Sequence, residues 1–322
     1  MRAMQVTAYD TPLTLQNIDT PVAGPGEVLI KVETCGMNFG DTLMIKGTYQ
    51  EKPDLPVTIG MELAGTVAAL GAGVSALKTG QRIAAYAGSG GLADYAIVPA
   101  AACVPIPDQM SAVDAAAFLI AYGTSQIALD YKARLQPAER LLVLGASGGV
   151  GLTAVELGKL MGAEVVACAR GQDKLEICRK IGADHLIDSD TDDIRAVVKS
   201  LGGADVVYDP IGGDQFKAAL RACNPGARLL PLGFASGEVP QIPANILLVK
   251  NLTVLGFYIG GYAKLDPSVL TNSFRALTDW YVAGKLKPHV SHVLPLEKAN
   301  EALDLLRTRQ ATGKVVIEIA KS

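Results

Sequence analysis

Short apolar runs recur through the second half of the chain, and stretches with helical periodicity separate them. Runs of this length, bounded by turn residues, indicate buried strands. The predicted strands are Leu141–Leu144, Glu164–Ala169, His185–Ile187, Asp205–Tyr208, Ala227–Leu232 and Thr253–Phe257. The helical stretches between them include Lys174–Ile181, Asp192–Ser200 and Asp214–Cys223. Strands that alternate with helices are typical of parallel βαβ units, so this half predicts an α/β domain with a doubly wound parallel sheet.

The first third of the chain has a different texture, with strand-like runs and many turns. Val28–Glu33 alternates partway between apolar and polar positions, as a half-buried strand does. Similar runs lie at Val57–Ile59, Ala64–Ala69, Arg82–Tyr86 and Asp94–Val98. The turns between them contain glycine and proline and are too short for parallel crossovers, which indicates an antiparallel, barrel-like unit.

Helical patterns lie on both sides of the α/β half. Ser111-Ala-Val-Asp114 resembles a capping box and begins an alanine-rich helix that runs towards Leu129. Beyond the sixth predicted strand, the pattern predicts helices over Pro267–Val282 and Leu296–Thr308 and a last strand over Lys314–Ile319. These pieces exceed one six-stranded sheet, and we expect them to pack on the N-terminal unit.

Composition narrows the function classes. The chain has 322 residues, of which 49% are hydrophobic, and a formal net charge of −3. That length accommodates two domains, and the slightly acidic balance argues against nucleic acid or an anionic membrane as the main partner. No apolar run reaches the length of a membrane span, and the N-terminal residues lack the apolar core of a signal peptide. The five cysteines are scattered, which is typical of reduced thiols and predicts a cytoplasmic protein.

A glycine-rich turn follows the first strand of the α/β half. It runs from Gly145 to Gly151, and Ala146, Gly148 and Gly151 hold the three positions of a G-x-G-x-x-G pattern. Small residues let the backbone approach a dinucleotide pyrophosphate, and the free N–H groups and positive dipole end of the following helix face the phosphates. The predicted pyrophosphate-binding residues are Ala146, Ser147, Gly148, Gly149, Val150 and Gly151.

The residues after the second strand of this half indicate which nucleotide binds. NAD-binding units carry an acidic residue about twenty positions past the first glycine, where it accepts from the ribose hydroxyls. The strand Glu164–Ala169 runs instead into Arg170-Gly-Gln-Asp-Lys174. Arg170 and Lys174 suit the 2′-phosphate of NADPH, and Arg170 is the more directional partner. Asp173 is the nearest carboxylate along the chain that would oppose this phosphate, so NADH stays an alternative.

Several motifs occur in a characteristic order over essentially the whole chain. They are Pro25-Gly-Glu27, Cys35-Gly-Met-Asn38 with Asp41, Gly47-Thr-Tyr49, Gly60-Met-Glu62, Gly91-Leu-Ala-Asp-Tyr95, Gly145 to Gly151, Gly182-Ala-Asp-His185 and Gly313-Lys-Val-Val316. This pattern resembles the medium-chain dehydrogenase/reductase superfamily, in its zinc-free quinone oxidoreductase branch, which includes the zeta-crystallins. The resemblance implies a GroES-like β-barrel catalytic domain over residues 1–118 plus 260–322. It also implies a Rossmann dinucleotide-binding domain inserted over residues 119–259, with the active site in the cleft.

The resemblance also bears on metal binding. Zinc-containing members of the superfamily carry a cysteine where Asn38 stands and a histidine where Met61 stands. They often have a four-cysteine lobe shortly after the position of Tyr86, where this chain has no cysteine. Zinc sites need Cys, His or carboxylate ligands in a tetrahedral array, and Asp41 and Glu62 alone would hold a catalytic zinc poorly. We therefore expect no metal.

Individual roles follow from the resemblance. Asn38, Asp41 and Tyr49 are expected at the nicotinamide end of the cleft. Asn38 would donate a hydrogen bond to the acceptor's oxygen, Tyr49 would donate a hydrogen bond or a proton, and Asp41 would orient its neighbours. The alternatives are that Asn38 only terminates a turn and that Tyr49 is only a half-buried wall. The other residues expected to contact the cofactor are Thr124, Ser189, Phe234 and Lys314. Ser189 stands where many relatives have a tyrosine beside the 2′-phosphate.

Three functions fit these residues. The first is NADPH-dependent, zinc-independent hydride transfer to quinones. The second keeps the fold and cofactor but reduces the C=C bond of enones, alkenals or enoyl thioesters. The third, of another class, is an NADPH-binding structural protein, as crystallins that resemble this family are. The retained glycine turn, the Arg170 and Lys174 pair, Asn38 and Tyr49 favour an enzyme with a small-molecule substrate.

One edge of the predicted sheet is expected to form an interface. The sixth strand, Thr253–Phe257, is apolar and comes last in the α/β half. An edge strand presents unpaired backbone groups that a two-fold mate can pair. We therefore expect a homodimer.

Overall fold

The computed structural model describes residues 1–319. Its strands are β1 Arg2–Val6, β2 Thr14–Asn17, β3 Glu27–Met37, β4 Val57–Thr58, β5 Glu62–Leu70, β6 Arg82–Tyr86, β7 Tyr95–Pro99, β8 Cys103–Pro105, β9 Arg140–Leu144, β10 Glu164–Ala169, β11 His185–Asp188, β12 Ala204–Asp209, β13 Cys223–Pro231, β14 Thr253–Val254, β15 Val290–Pro295 and β16 Lys314–Glu318. Its α-helices are α1 Phe39–Ile45, α2 Ala112–Ala116, α3 Leu119–Gln126, α4 Gly149–Leu160, α5 Gln172–Ile181, α6 Ile194–Ser200, α7 Gly213–Ala222, α8 Ala244–Lys250, α9 Tyr262–Leu265, α10 Pro267–Val282 and α11 Ala299–Arg307. Within the described range, no helix has the length and apolar character needed to cross a membrane.

The chain divides into two compact units. The first unit comprises Met1–Ile120 and resumes at Lys287, and the second unit is Ala121–Leu286. The first border therefore lies beside the expected one at 118/119, whereas the second lies at 286/287 instead of 259/260. The difference arises because Tyr262 and Val269 pack with Ile127 in one apolar cluster, which keeps α9 and α10 with the second unit.

The first unit is built on antiparallel sheets, as the turn-rich pattern predicts. Its larger sheet has the strand order β15-β16-β3-β5-β6-β8, and β7 also pairs with β3. The pairs are antiparallel except for β15 with β16. A smaller antiparallel sheet has the order β2-β1-β4. Because β16 pairs with β3, the prediction that the C-terminal segment packs on the N-terminal unit is confirmed for that strand.

The second unit contains the parallel sheet that the alternating pattern predicts. Its six strands have the order β11-β10-β9-β12-β13-β14, and all pairs are parallel. Residues Leu141–Leu144 of β9 are fully buried, as expected of a central strand with helices on both faces. The strand order reverses between β9 and β12, and sheets of this kind bind ligands at such a point, beyond the carboxyl ends of the strands.

Two elements are shorter than the sequence predicts. The helix expected from Ser111 towards Leu129 is divided into α2, α3 and a π-helical segment, Ile127–Lys132. The predicted cap is present, since the Ser111 hydroxyl accepts from the Asp114 N–H at 3.0 Å. The sixth strand of the parallel sheet ends at Val254. Phe257, three residues later, packs against Tyr262 with their ring centroids 5.7 Å apart.

Candidate active site

The glycine-rich turn joins β9 to α4 at the carboxyl edge of the parallel sheet. Gly145 has a φ of +59°, a left-handed conformation that favours glycine. A Cβ atom on Gly151 would lie 2.2 Å from the Gly145 carbonyl oxygen and 2.8 Å from Ala146 Cα. Position 151 therefore has room for glycine only, because the turn folds back directly against the first turn of α4.

The first turn of α4 presents backbone donors at this edge. The Leu152 N–H donates to Gly148 O at 2.9 Å and so begins the helical ladder, which leaves the N–H groups of Gly149, Val150 and Gly151 ahead of it. The cap residue is Gly148, which brings no side chain to these groups. Amide donors and the positive end of a twelve-residue helix form an anion site, and this geometry suits a pyrophosphate. Ser147, half a turn earlier, is buried at the bend.

A loop after β12 lies beside the glycine turn. Asp209 Oδ1 accepts from the Ile211 N–H at 2.7 Å and from the Gly212 N–H at 2.9 Å, which holds the loop in a tight turn. Burial raises the pKa of Asp209 to about 6, against the lowering effect of these two N–H donors. The Ile211 side chain would lie 2.6 Å from a Cβ on Gly145, so this loop forms one wall of the glycine turn.

A buried hydroxyl network supports the same region, and sequence reasoning missed it. Ser125 Oγ lies 2.8 Å from both Thr153 Oγ1 and Tyr208 Oη and donates to Val150 O at 3.0 Å. It thereby joins α3, the first turn of α4 and the end of β12. Serine and threonine inside a helical pattern resemble surface positions in the sequence, and only the packing of three elements makes them neighbours.

Arg170 and Ser189 come together at the ends of adjacent strands. Strand β10 pairs in parallel with β11, and the Ser189 N–H donates to Ala169 O at 2.9 Å. The Arg170 side chain is exposed, and its Nε lies 3.1 Å from Asp190 Oδ1. The carboxylate that faces Arg170 is therefore Asp190, from the next strand, and not Asp173, its near neighbour along the chain. Lys174 is half-buried in the first turn of α5.

The other two cofactor residues predicted in this unit occupy different settings. Thr124 is buried on α3 and directly precedes Ser125, the central residue of the hydroxyl network. Phe234 follows β13 and is exposed, and its ring would lie 3.3 Å from a Cβ on Gly212. Phe234 thus adjoins the loop after β12, which lines the carboxyl edge of the sheet.

In the first unit, three neighbouring strands bring polar side chains into the core. Strand β3 pairs with β5 on one side and with β16 on the other. Asn38 directly follows β3, Glu62 begins β5 and Lys314 begins β16. Sheet pairing therefore joins residues that are far apart in sequence, and we call Asn38, Glu62 and Lys314 the Lys314 cluster.

The end groups of the Lys314 cluster are saturated with hydrogen bonds. Lys314 Nζ donates to Asn38 Oδ1 at 2.7 Å, to a Glu62 carboxylate oxygen, and to the backbone carbonyl of Met37 at 2.9 Å. Asn38 Nδ2 donates to the same Glu62 oxygen at 3.0 Å and to Gly36 O at 3.2 Å. The second Glu62 oxygen accepts from a backbone N–H, that of residue 120, at 2.9 Å. Each ammonium and amide hydrogen is thus used inside the protein.

These contacts bear on two predicted roles, which stay predictions. The Asn38 amide was expected to donate to a substrate oxygen, and in this structure both of its hydrogens are donated to protein acceptors. Lys314 was expected to contact the cofactor, but its ammonium is buried and bound to three protein oxygens. The motifs place both residues near the site, whereas only the pairing of β3 with β5 and β16 shows how their polar atoms are engaged.

Asp41 adjoins this cluster from the first turn of α1. Its carboxylate accepts from the Asn38 N–H at 2.8 Å, and the side chain is fully buried. Burial raises the pKa of Asp41 to about 7, although the Asn38 N–H and the Lys314 charge act in the opposite direction. The contact holds the start of α1 against the end of β3. The orienting role of Asp41 in the reaction stays a prediction.

Tyr49 and Met61 lie side by side in the first unit. A Cβ atom on Gly40 would meet Met61 Sδ at 2.9 Å and Tyr49 Cε2 at 3.2 Å, so α1 packs closely on both side chains. Met61 is buried and Tyr49 is half-buried. Among residues 1–319, no three His, Cys, Asp or Glu side chains are grouped so that they could hold a metal ion.

Comparison with known proteins agrees with this architecture. The alcohol dehydrogenase GroES-like domain matches residues 24–108, and the zinc-binding dehydrogenase domain matches residues 149–281. A quinone oxidoreductase-like protein 2 homolog from Nematostella vectensis is 41% identical over 98% of this chain and 88% of its own length. The chain belongs to the quinone oxidoreductase branch of the medium-chain dehydrogenase/reductase superfamily.

Solved structures of this branch superpose on nearly the whole chain. The quinone oxidoreductase of Thermus thermophilus, whose complex with NADPH is also known, has a TM-score of 0.88 and 31% identity and covers 99% of this chain and 100% of its own. The Escherichia coli quinone oxidoreductase complexed with NADPH has a TM-score of 0.92 and 26% identity, with the same coverage of 99% and 100%. The first unit is therefore the GroES-like domain and the second the Rossmann domain of a medium-chain oxidoreductase.

Proposed function

We propose that this medium-chain oxidoreductase transfers hydride from NADPH to quinones and works without zinc. The observation that carries the proposal is the anion-binding edge of the second unit. There the first turn of α4 offers three backbone donors, Gly151 permits a close approach, and Arg170 follows the adjacent strand. A pyrophosphate suits the first of these features, and a 2′-phosphate suits the guanidinium. NADPH carries both groups.

Zinc independence rests on the chemistry of the first unit. The positions of the cysteine and histidine ligands of zinc-containing relatives are occupied by Asn38 and Met61. The Asn38 amide is engaged by Lys314 and Glu62, and the Met61 thioether is a poor zinc ligand that packs against Gly40. A cationic ammonium thus already neutralises the carboxylate of this region, and a second cation would have to displace it.

In the proposed reaction the hydride would come from NADPH, and the protein would bind and orient both reactants and supply a hydrogen-bond donor. The first turn of α4 would hold the pyrophosphate, and Arg170 with Ser189 would hold the adenosine end. Tyr49 donates a hydrogen bond or proton to the acceptor oxygen as negative charge develops there. Asp41 and the Lys314 cluster hold the end of β3 and the start of α1, the helix whose first turn packs on the Tyr49 ring.

A substrate panel tests this proposal. Initial rates are measured, with and without enzyme, as the loss of NADPH absorbance at about 340 nm, where the reduced nicotinamide absorbs. The acceptors are ortho- and para-quinones, enones, alkenals and enoyl thioesters. The highest kcat/KM is expected for quinones. Turnover confined to enones or enoyl thioesters would replace the proposal by the C=C reductase alternative, and binding of NADPH without turnover on any acceptor would favour a structural protein.

We also propose a homodimer formed along the edge of the parallel sheet. Strand β14 lies at that edge and pairs with β13 on its inner side. The preceding helix, α8, carries Leu248 and Val249, whose residues are 78% and 75% exposed. Exposed apolar side chains beside an open strand edge favour pairing with a second copy. Sedimentation equilibrium is expected to give twice the chain mass, and Leu248→Lys is expected to shift it towards the monomer.

The cysteines support a cytoplasmic location as part of the proposal. All five lie in the described range and are free thiols. Burial raises the pKa of Cys168 and of Cys223 to about 12, so these thiols stay protonated and unreactive. Free, unreactive thiols are typical of proteins from a reducing compartment. Location of a tagged protein by cell fractionation tests this point.

A further inference from the structure

The ion pair between Arg170 and Asp190 lies where the adenosine end of the nucleotide is proposed to bind. Arg170 is the first residue after β10, and Asp190 is the second after β11. The Nε to Oδ1 distance is 3.1 Å, and the two side chains are 53% and 54% exposed. The pair therefore stands at the carboxyl edge of the sheet and is accessible from solvent, as a nucleotide phosphate would require.

The backbone around this pair is held by a third residue. Asp188 is buried at the end of β11, and its Oδ1 accepts from the Gly171 N–H and from the Asp190 N–H, both at 3.1 Å. One carboxylate oxygen thus ties the residue after Arg170 to Asp190 itself. The Ser189 N–H adds a bond to Ala169 O at 2.9 Å. The backbone positions of Arg170 and Asp190 are therefore fixed by hydrogen bonds between the loops after β10 and β11, and these bonds place the two side chains next to each other.

The loop after β11 contains further carboxylates, which accept hydrogen bonds from backbone N–H groups at the end of β11 and in α6. The Asp192 carboxylate accepts from the Asp188 N–H at 2.8 Å, and the Asp193 carboxylate accepts from the Ala196 N–H at 3.0 Å as the cap of α6. These groups shape the loop. Asp190 is the carboxylate of the loop that is directed at Arg170, the residue proposed to hold the 2′-phosphate.

We propose that Asp190 is a specificity-determining residue that limits the preference for NADPH over NADH. A 2′-phosphate must displace the Asp190 carboxylate from Arg170 and then lie beside that negative charge. A ribose 2′-hydroxyl does neither, because it is uncharged and a carboxylate can accept its hydrogen bond. Asp190 therefore weakens the binding of NADPH and leaves the binding of NADH unchanged or slightly strengthened. This inference rests on the proposed function for its nucleotide, and it deepens that function by naming the residue that sets the selectivity.

Nucleotide halves test the inference without catalysis. Isothermal titration calorimetry of the full chain is carried out with adenosine 2′,5′-bisphosphate and with adenosine 5′-monophosphate, which differ only in the 2′-phosphate. The variants are Asp190→Asn, Asp173→Asn and Asp304→Asn. Asp304 is the matched control, because it forms an exposed pair with Arg307 in the other unit and its substitution changes the net charge equally.

Asp190→Asn is expected to bind the bisphosphate roughly three- to tenfold more tightly, since it removes an exposed like charge and releases Arg170. Binding of the monophosphate is expected to stay within about twofold of the wild type or to weaken, and Asp304→Asn to change neither affinity. An equal change for both ligands, no change, or a larger gain from Asp173→Asn would overturn the proposal.

A combined variant identifies the route of the effect. In an Arg170→Ala background, Asp190→Asn is expected to give a clearly smaller gain, because the guanidinium that it would release is absent. An undiminished gain would overturn the competition for Arg170. If the wild-type chain does not prefer the bisphosphate and Arg170→Ala changes neither affinity, the 2′-phosphate assignment itself fails. If that preference is present but Asp190→Asn leaves it unchanged, only the present inference fails.

Discussion

The Lys314 ammonium donates to the Glu62 carboxylate, and the two side chains are only 5% and 1% exposed. The residues lie 252 positions apart in the chain and meet because β16 and β5 flank the same strand, β3. A buried pair of this kind is costly to break, because the remaining charge is left in a medium that solvates it poorly. The contribution of this pair to the free energy of unfolding can therefore be measured by substituting one partner or both.

Lys314→Met is expected to lower the free energy of unfolding by about 3–5 kcal/mol, because the Glu62 charge stays buried without its cation. Adding Glu62→Gln to that variant should recover a large part of the loss, since no buried charge then remains. Urea unfolding at neutral pH provides the measurement. Lys298→Met is the control, because its partner Glu301 is half exposed and such pairs contribute about 0–1 kcal/mol. Equal losses for Lys314→Met and Lys298→Met would contradict the role assigned to the buried pair.

Asp41 is expected to make stability depend on pH. Its pKa in the folded protein is about 7, above the ordinary value of 3.8, so the folded state holds the proton more tightly. The stabilisation linked to this proton is complete below pH 3.8 and is lost as the pH rises through 7. Relative to Asp41→Asn, the wild type should lose up to about 1.4 kcal/mol per pH unit in this interval.

The measurement for Asp41 is the difference between the two unfolding free energies at a series of pH values. Asp209, whose pKa is raised to about 6, acts in the same direction but is present in both proteins, so its effect cancels in the difference. Asparagine retains an oxygen that can accept from the Asn38 N–H, which keeps the local geometry. Parallel curves for the two proteins between pH 4 and 7 would show that the Asp41 carboxyl is not the source.

Gly151→Ala and Gly148→Ala are expected to separate stability from nucleotide binding. At position 151 a Cβ meets the Gly145 oxygen at 2.2 Å, so the alanine should destabilise the fold by about 1–3 kcal/mol or more. At position 148 the nearest atom is 3.4 Å away, and the loss should stay below about 1 kcal/mol. The second variant should still bind NADPH more weakly, because its methyl group lies at the cap of α4. Thermal unfolding and NADPH titration measure the two effects, and similar stability for both variants would argue against the crowded turn.

Tyr49→Phe is expected to lower kcat for quinones by about tenfold or more while the affinity for NADPH stays within about twofold. The hydroxyl acts only when charge develops on the acceptor, whereas the ring that packs near Gly40 is retained. Tyr9→Phe is the matched control, since its hydroxyl donates to Pro53 O and its ring packs on Gly47 two residues before Tyr49. An unchanged kcat in Tyr49→Phe would reduce Tyr49 to a wall of the site.

Metal analysis tests zinc independence directly. The purified protein is expected to contain far less than one zinc per chain and to keep its activity after incubation with a chelator. A zinc-containing alcohol dehydrogenase treated in the same way serves as the positive control for the chelator. Stoichiometric zinc that is lost together with activity would overturn the metal-free proposal, whatever the state of Asn38 and Met61.

Local patterns were sufficient for the strands of the parallel sheet and for α10, whereas the polar contacts needed tertiary information. The apolar runs identify all six strands of the parallel sheet, and α10 has its predicted bounds, because burial on both faces and helical periodicity are visible along the chain. The partner of Arg170 could not be read in this way. Asp173 is closer in sequence, but strand pairing brings Asp190 to the guanidinium. In the sequence, Lys314 follows a glycine at the start of a predicted strand. Nothing in that local setting indicates that its ammonium pairs with the buried carboxylate of Glu62.

The return of the chain to its first unit also has a consequence for biosynthesis. Strand β16 pairs with β3, although Lys314 leaves the ribosome 276 residues after Asn38. The second unit is continuous over Ala121–Leu286 and can complete its sheet while translation proceeds. The first unit cannot, because Glu62 has no partner cation until β16, which carries Lys314, has been synthesised. The barrel that precedes the Rossmann domain in sequence is therefore the later of the two to reach its finished form.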